Sequence, residues 1–315
     1  MSSMPSSETW VGKGRTLTRG FGPSRRKPLT RSTAAFLVPG GAMYLVFVLV
    51  PLVLSFYYSF TNRNLLYPGE QFVGAENYVR LLTNPTFLGS FAFTATLTIV
   101  TVIVVNAAGL GIALLLNRTA LLFRALRIAF FVPVALSGVV VAFIWSTILT
   151  DQGLLNASLD NLGLGFLAQS WLGNPVTAQG SVIAVTSWQA IGLCTVIYLA
   201  GLQTIPSELR DAAKIDGAGA WSEFRHVTWP LLAPSLTINT TLLLINGFKT
   251  YDIPVVLTGT GPGGATSTVA TEVIRVGFNL NRVGSASAMA VVMLVVTAVA
   301  TFIVVGYLRK RELER

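Results

Sequence analysis

Six predominantly apolar stretches, at roughly 33–60, 90–116, 127–149, 180–203, 231–256 and 286–308, occupy most of this chain. Each is near the length of about 20 residues that a helix needs to cross a bilayer. In lipid every backbone N–H and C=O must find a partner within the protein, and a helix satisfies its own. The expected fold class is therefore an all-α integral membrane protein with six transmembrane helices. Composition excludes the soluble alternative. Only 11% of the 315 residues are charged and 52% are hydrophobic, with mean hydropathy +0.66. Soluble domains carry about 25% charged residues, so this chain has too little polar surface to coat a water-exposed globule.

The net charge of +9 is distributed in a way that speaks against nucleic acid, because the basic residues lie between and beyond the apolar spans. Seven Lys and Arg fall in residues 1–31, three in 117–127 (Arg118, Arg124, Arg127), three in 204–230 (Arg210, Lys214, Arg225) and four in 309–315. The alternate loops hold four: Arg63, Arg80, Arg275 and Arg282. Short cytoplasmic loops are the basic ones, so both termini and the 204–230 loop are expected in the cytoplasm, and residues 150–178 outside. Residues 1–31 read as a disordered basic tail against anionic lipid, residues 32–310 as the membrane domain, and residues 311–315 as a second cytoplasmic tail. The apolar run from Ala34 to Phe60 is too long for the core of a secretory signal and reads as a retained first span.

The residues for familiar catalytic chemistry are missing from the sequence. Cys194 and His226 are the only cysteine and histidine, which leaves no disulfide, no cysteine-based metal site and no histidine-centred triad. No Gly-x4-Gly-Lys-Ser/Thr loop occurs, so ATP hydrolysis is not expected in this chain. Asp211 and Asp216 lie five apart on a polar loop, where solvated helix acids are the simpler reading. The glycine-rich segment 258–268 reads as a flexible outer connector, and 150–178 as a loop with room for one short interfacial helix.

The 204–230 loop has its own local grammar. Ser207 suits an N-cap, and Glu208 and Asp211 suit the positive start of a helix. Gly217 suits the residue just past its end, where positive φ is needed. Leu209, Ala212, Ala213 and Asp216 fall on one helical face, which the paired alanines make flat. A glycine break, a second short helix and the start of a span should follow.

The spacing Asp211-Ala212-Ala213, three residues, Gly217, nine residues, Val227-x-Trp229-Pro230 resembles the Glu-Ala-Ala loop of ABC importer permeases. Asp stands here for Glu, Val for Ile and Trp for Leu. The run from Ile205-Pro206 to Gly217-Ala218 is similar to the carbohydrate branch of that family, the permeases for maltose and glycerol phosphate. Further likeness lies in Phe131-Val132-Pro133 through Trp145, in Trp188-Gln189 through Gln203, in Leu257-Thr258 with Gly261-Pro262-Gly263-Gly264, and in Gly284 through Ala290, so that about residues 30–310 are covered. The resemblance implies a type I importer fold in which the loop is a coupling helix that docks on a separate ATPase, with Glu208, Asp211, Ala212, Ala213, Asp216, Gly217 and Pro230 at the docking surface. It also implies two ATPase copies carrying Mg-ATP, no cofactor in this chain, a second permease subunit of different sequence, an extracytoplasmic solute-binding protein, and a bacterial or archaeal plasma membrane.

The pathway is sought among polar residues that are costly to place in lipid. The fourth span carries Thr186, Ser187, Trp188 and Gln189; the fifth carries Asn246, Lys249, Thr250 and Tyr251, with Asn246, Lys249 and Thr250 at helical spacing on one face. Hydroxyls, amides and flat aromatic rings suit a sugar, and the resembling maltose permease makes its sugar contacts in these segments. Each residue alone could equally serve hydrogen bonding between helices. Lys249 could face the solute or be neutralised by Asp252. A stand-alone, ion-driven secondary transporter is the competing function. It would usually hold coupling carboxylates at mid-membrane, whereas Asp252 and Glu272 fall near the outer boundary.

Overall fold

The computed structural model describes residues 31–67, 69–117 and 121–313. Residues 1–30, Arg118, and residues 314 and 315 lie outside the described residues, and with them most of the basic tail and the last residues of the C-terminal one. The chain divides into two units, Met1–Pro51 and Leu52–Arg315. The first contains α1 (Arg31–Tyr44) and a π turn at Leu45–Leu49. The second contains α2 (Val50–Tyr58, from Leu52 on), α3 (Glu76–Thr83), α4 (Pro85–Leu116), α5 (Leu121–Ala135), α6 (Gly138–Ile148), α7 (Leu154–Asn161), α8 (Pro175–Gln203), α9 (Ser207–Ile215), α10 (Ala220–Glu223), α11 (Trp229–Leu231), α12 (Ala233–Lys249), α13 (Asp252–Thr258), α14 (Val269–Ile274) and α15 (Val283–Leu313). Among the described residues the one extended feature is an antiparallel bridge between Thr61 and Phe72, so the all-α expectation holds.

Among the described residues, four helical stretches are long and apolar enough to cross a membrane: Val38–Tyr58, Pro85–Leu116, Pro175–Gln203 and Val283–Lys310. The other two expected spans are broken. The stretch expected as 127–149 is α5 and α6, bent by 100°. Pro133, inside the last turn of α5, has no N–H to give the Ala129 carbonyl and so weakens that turn, and Ser137 turns extended (ψ 149°) and starts α6 as its N-cap, its hydroxyl accepting from the Val140 amide at 3.3 Å. The stretch expected as 231–256 is also not one helix. Ala220–Leu231 meets α12 at 62° around Leu232, because Pro234 can neither donate to the Pro230 carbonyl nor fit its ring against it. α12 then stops at Lys249. Thr250 goes extended (ψ 120°), and α13 begins at Asp252 as a separate helix.

α4 and α8 start in the same way. Asn84 and Asn174 each precede a proline, and their side-chain oxygens accept the amides of Thr86 and Val176, both at 2.9 Å. An asparagine cap followed by a proline with φ preset for the first turn is a strong start signal.

α4, α8 and α12 pack through small residues and a polar seam. A β-carbon on Gly109 would lie 2.8 Å from Cys194 Sγ, and one on Gly247 would lie 2.7 Å from Thr98 Oγ1. Such close approach between backbones is how helices associate in lipid. Tyr198, fully buried, donates to Asn106 Oδ1 at 2.7 Å, and Asn239 donates to the Cys194 carbonyl at 3.3 Å. Around this seam Val105, Leu116, Leu202, Leu232 and Leu243 form one apolar cluster. A second joins Phe93, Leu97, Val141, Val182, Ile253 and Leu257, and so ties α6 and α13 to α4 and α8.

The 258–268 segment is not the flexible connector expected. Gln179 donates to the Ala265 carbonyl (2.7 Å), Thr258 and Thr266 share a hydrogen bond (2.6 Å), and Thr268 donates to the Thr250 carbonyl (2.8 Å). Thr266, Ser267 and Thr268 are buried. Four glycines at positive φ (Gly259, Gly261, Gly263, Gly264) let the chain fold back on itself here. In the 150–178 loop α7 supplies the short helix expected. Asn156 holds it by donating to Asp151 and Gln169 and accepting from Trp171.

Candidate functional site: a docking loop and a polar cavity

α9 is amphipathic, with Glu208 in its first turn and Lys214 in its last. The expected cap is one residue off. Pro206, not Ser207, is the boundary residue (φ −58°, ψ 135°), no side chain caps the helix, and Ser207 is already helical. The proline's fixed φ combined with an extended ψ ends the loop before a serine hydroxyl is needed. The C-terminus is as expected. Gly217 has φ +81°, the Ala218 amide donates to the Ala213 carbonyl (2.9 Å) and the Gly217 amide to the Lys214 carbonyl (3.0 Å), which is the paired bonding of a Schellman ending. Lys214 pairs with Asp211 at 3.2 Å, and Arg210 approaches Glu223 at 3.8 Å, linking α9 to α10.

Glu208, Asp211, Ala212, Asp216 and Gly217 are exposed and Ala213 is half-buried. The same stretch presents large apolar side chains outward: Leu209 at 45%, Trp221 at 75% and Ile215 at 87% exposure. Pro230 lies in α11, just before the bend that leads into α12.

The second feature is a cavity of about 340 Å³ between α4, α8, α12 and the breaks of the third and fifth spans. Of the residues expected on the pathway, Thr186, Gln189, Asn246, Lys249 and Thr250 line it. Three do not. Ser187 is buried on another face of α8. Trp188 turns away and meets Trp145 edge-to-face at 5.5 Å. Tyr251 sits in the break after α12, outside the lining. One turn of α8 cannot aim four consecutive side chains in one direction, so two of its candidates had to be lost.

The cavity also gathers Thr101, Asn239 and Asp252, which the sequence reading did not place on the pathway. Thr101 and Thr186 each bury a hydroxyl oxygen that has no hydrogen-bond partner among the described residues. Buried hydroxyls are nearly always partnered, so these two hold unused hydrogen-bonding capacity beside the cavity. The signal for Thr101 was its spacing after Thr94 and Thr98 on one face of α4. Asp252 does not neutralise Lys249: no ion pair joins them among the described residues. Thr250 donates to the Asn246 carbonyl at 2.9 Å, which closes the last turn of α12 under Lys249.

Residues 105–313 match the family described as binding-protein-dependent transport system inner membrane component. A "Probable starch degradation products transport system permease protein" of Thermoanaerobacterium thermosulfurigenes is 34% identical over 279 residues, covering 89% of this chain and 94% of that protein. The trehalose/maltose transport system permease protein of Thermococcus litoralis is 32% identical, covering 87% and 93%. A solved bacterial ABC transporter that imports alginate shares the fold, with TM-score 0.77 over 88% of this chain and 94% of that one at 22% identity. The broken spans, the exposed α9 loop and the polar cavity thus belong to a type I permease fold, and the chain is a member of the binding-protein-dependent inner membrane component family, a transport subunit of ABC importers and not an enzyme.

Proposed function

We propose that this subunit carries a sugar, through the cavity lined by Thr101, Thr186, Gln189, Asn239, Asn246 and Lys249. The observation that carries this reading is the set of hydroxyl, amide and ammonium groups converging inside an otherwise apolar bundle, two of the hydroxyls without partners. A solute rich in hydroxyls satisfies such groups pairwise, and relatives named for starch products and for trehalose and maltose point the same way. The exposed face of α9, with Leu209 and Ile215, together with Trp221 of α10, receives one of two ATPase subunits carrying Mg-ATP. A second permease of different sequence completes the membrane assembly, and an extracytoplasmic solute-binding protein delivers the sugar. The setting is a bacterial or archaeal plasma membrane. Membership of a binding-protein-dependent family sets aside the stand-alone secondary transporter. Reconstituted with its partners in vesicles, the complex is expected to accumulate labelled malto-oligosaccharide or trehalose only when ATP is present on the α9 side. Accumulation driven by an ion gradient without ATP would contradict it.

The same reading fixes an orientation. The basic-residue bias puts Ser222 inside and Ser158 outside. Single cysteines at these positions in a Cys194→Ala background, treated in intact cells with a membrane-impermeant thiol reagent, are expected to label at position 158 and not at 222. The reverse pattern would invert the topology.

A further inference from the structure

The break in the third span leaves backbone groups without helical partners: the last carbonyls of α5 and the first amides of α6. Residues from two other elements meet the break. Gln189 of α8 donates from Nε2 to the Leu136 carbonyl at 3.0 Å. Asp252, the first residue of α13, lays its carboxylate against Gly138, the first residue of α6. A β-carbon on Gly138 would collide with Oδ2 and lie 2.6 Å from Cγ. The acid therefore stands at the positive end of an 11-residue helix, and it is this placement, not Lys249, that accompanies its charge. Among the described residues Asp252 makes no ion pair, and Gln189 and Asp252 both line the cavity. α13 and α6 are further joined by Val141, Ile253 and Leu257 in one apolar cluster.

We infer that Asp252 and Gln189 are positioning residues that clasp the break in the third span from inside the cavity, so that the breaks of the third and fifth spans move as one hinge. Resting on the proposal that the cavity holds a sugar, the clasp also explains how solute reaches the helices. A hydroxylated solute offers the Gln189 amide and the Asp252 carboxylate alternative partners, and their release frees α6 to turn against α5.

The contact between Gly138 and Asp252 makes a double-mutant cycle decisive, since neighbours couple and independent sites add. Gly138→Ala, Asp252→Ala and the double variant are to be assembled with the partner subunits, and the thermal midpoint and the uptake rate against solute concentration measured for each. Gly138→Ala alone is expected to lower maximal uptake about tenfold, with KM changed by less than about twofold. In the Asp252→Ala background, where the obstructing carboxylate is gone, Gly138→Ala should have no further effect. If Gly138→Ala fails to assemble, the double variant should restore assembly. Losses that simply multiply, or a double variant no better assembled than Gly138→Ala, would overturn the clasp. So would an Asp252→Asn variant with raised KM and unchanged maximal rate, which would make Asp252 a solute contact that holds no hinge. Should no sugar be transported even by the unmodified complex, the sugar reading fails, while the cycle read on the thermal midpoint still decides the clasp.

Discussion

Gly217→Val is expected to assemble and yet lose most solute-stimulated ATPase activity. Gly217 sits at φ +81°, and a β-carbon there would meet nothing within 4 Å. The strain of the substitution is therefore confined to the backbone and costs about 1–2 kcal/mol, the usual penalty for a side chain in the left-handed region. The turn is exposed and lies outside the apolar clusters, so the membrane bundle should survive that cost. A valine relieves the strain by leaving positive φ, which breaks the bonds from Ala218 to Ala213 and from Gly217 to Lys214. The chain from Ala218 onward is then re-aimed, Trp221 shifts relative to the exposed side chains of α9, and the approach of Arg210 to Glu223 is lost. If this surface docks the ATPase, stimulation by the solute-loaded binding protein should fall at least about tenfold, while the thermal midpoint of the complex moves by only about 2–8 °C, at about 2–4 °C for each kcal/mol. Gly217→Asn is the control, because asparagine enters the left-handed region with little penalty, and it should keep most of the stimulation. Stimulation unchanged in an assembled Gly217→Val complex would remove α9 from the coupling role.

What could be read from the sequence was what local chemistry decides. The ending of α9 at Gly217 needs only residues 213–218 and was legible in full. So were the four long spans, because a run of apolar residues with few charges has one outcome in lipid. The breaks were not legible, because averaging over a span hides them. Pro133 followed by Ser137-Gly138, and Pro230 followed one turn later by Pro234, are the signals that mark them. A straight helix running from Pro230 would carry Lys249 about 28 Å up the span. The bend at Leu232 and the start of α12 at Ala233 shorten that to about 24 Å, and the helix ends there. Adjacency in space was the other missing quantity. Thr101 and Asp252 are 151 positions apart in the numbering yet line one cavity, and nothing in either segment alone announces that. The same holds for Trp188, whose residue type suits a sugar but whose direction on α8 is set by Trp145.

Lys249→Met tests the division of labour inside the cavity. Had Lys249 been paired with Asp252, its loss would have left a poorly solvated acid without a counter-charge, a costly result in a bundle. Instead Asp252 lies against Gly138, and Lys249 is exposed at the last turn of α12, where the helix dipole favours a cation. Removing the ammonium strands no partner among the described residues. Methionine matches the length and keeps the apolar stem. Assembly yield should therefore stay within about twofold of the unmodified complex. Uptake should not, because a hydrogen bond from a charged donor to a solute hydroxyl is worth about 1.5–3 kcal/mol, which is at least about a tenfold loss at low solute concentration. The defect should appear mainly as a raised KM, in contrast to the lowered maximal rate expected of Gly138→Ala, since Lys249 meets the solute and Gly138 meets the hinge. Adding Asp252→Asn should make matters worse and not better: the double variant loses both a solute contact and the clasp on α6. A Lys249→Met complex that fails to assemble, rescued in both assembly and uptake by Asp252→Asn, would show that the two charges balance each other after all and would take Lys249 off the pathway.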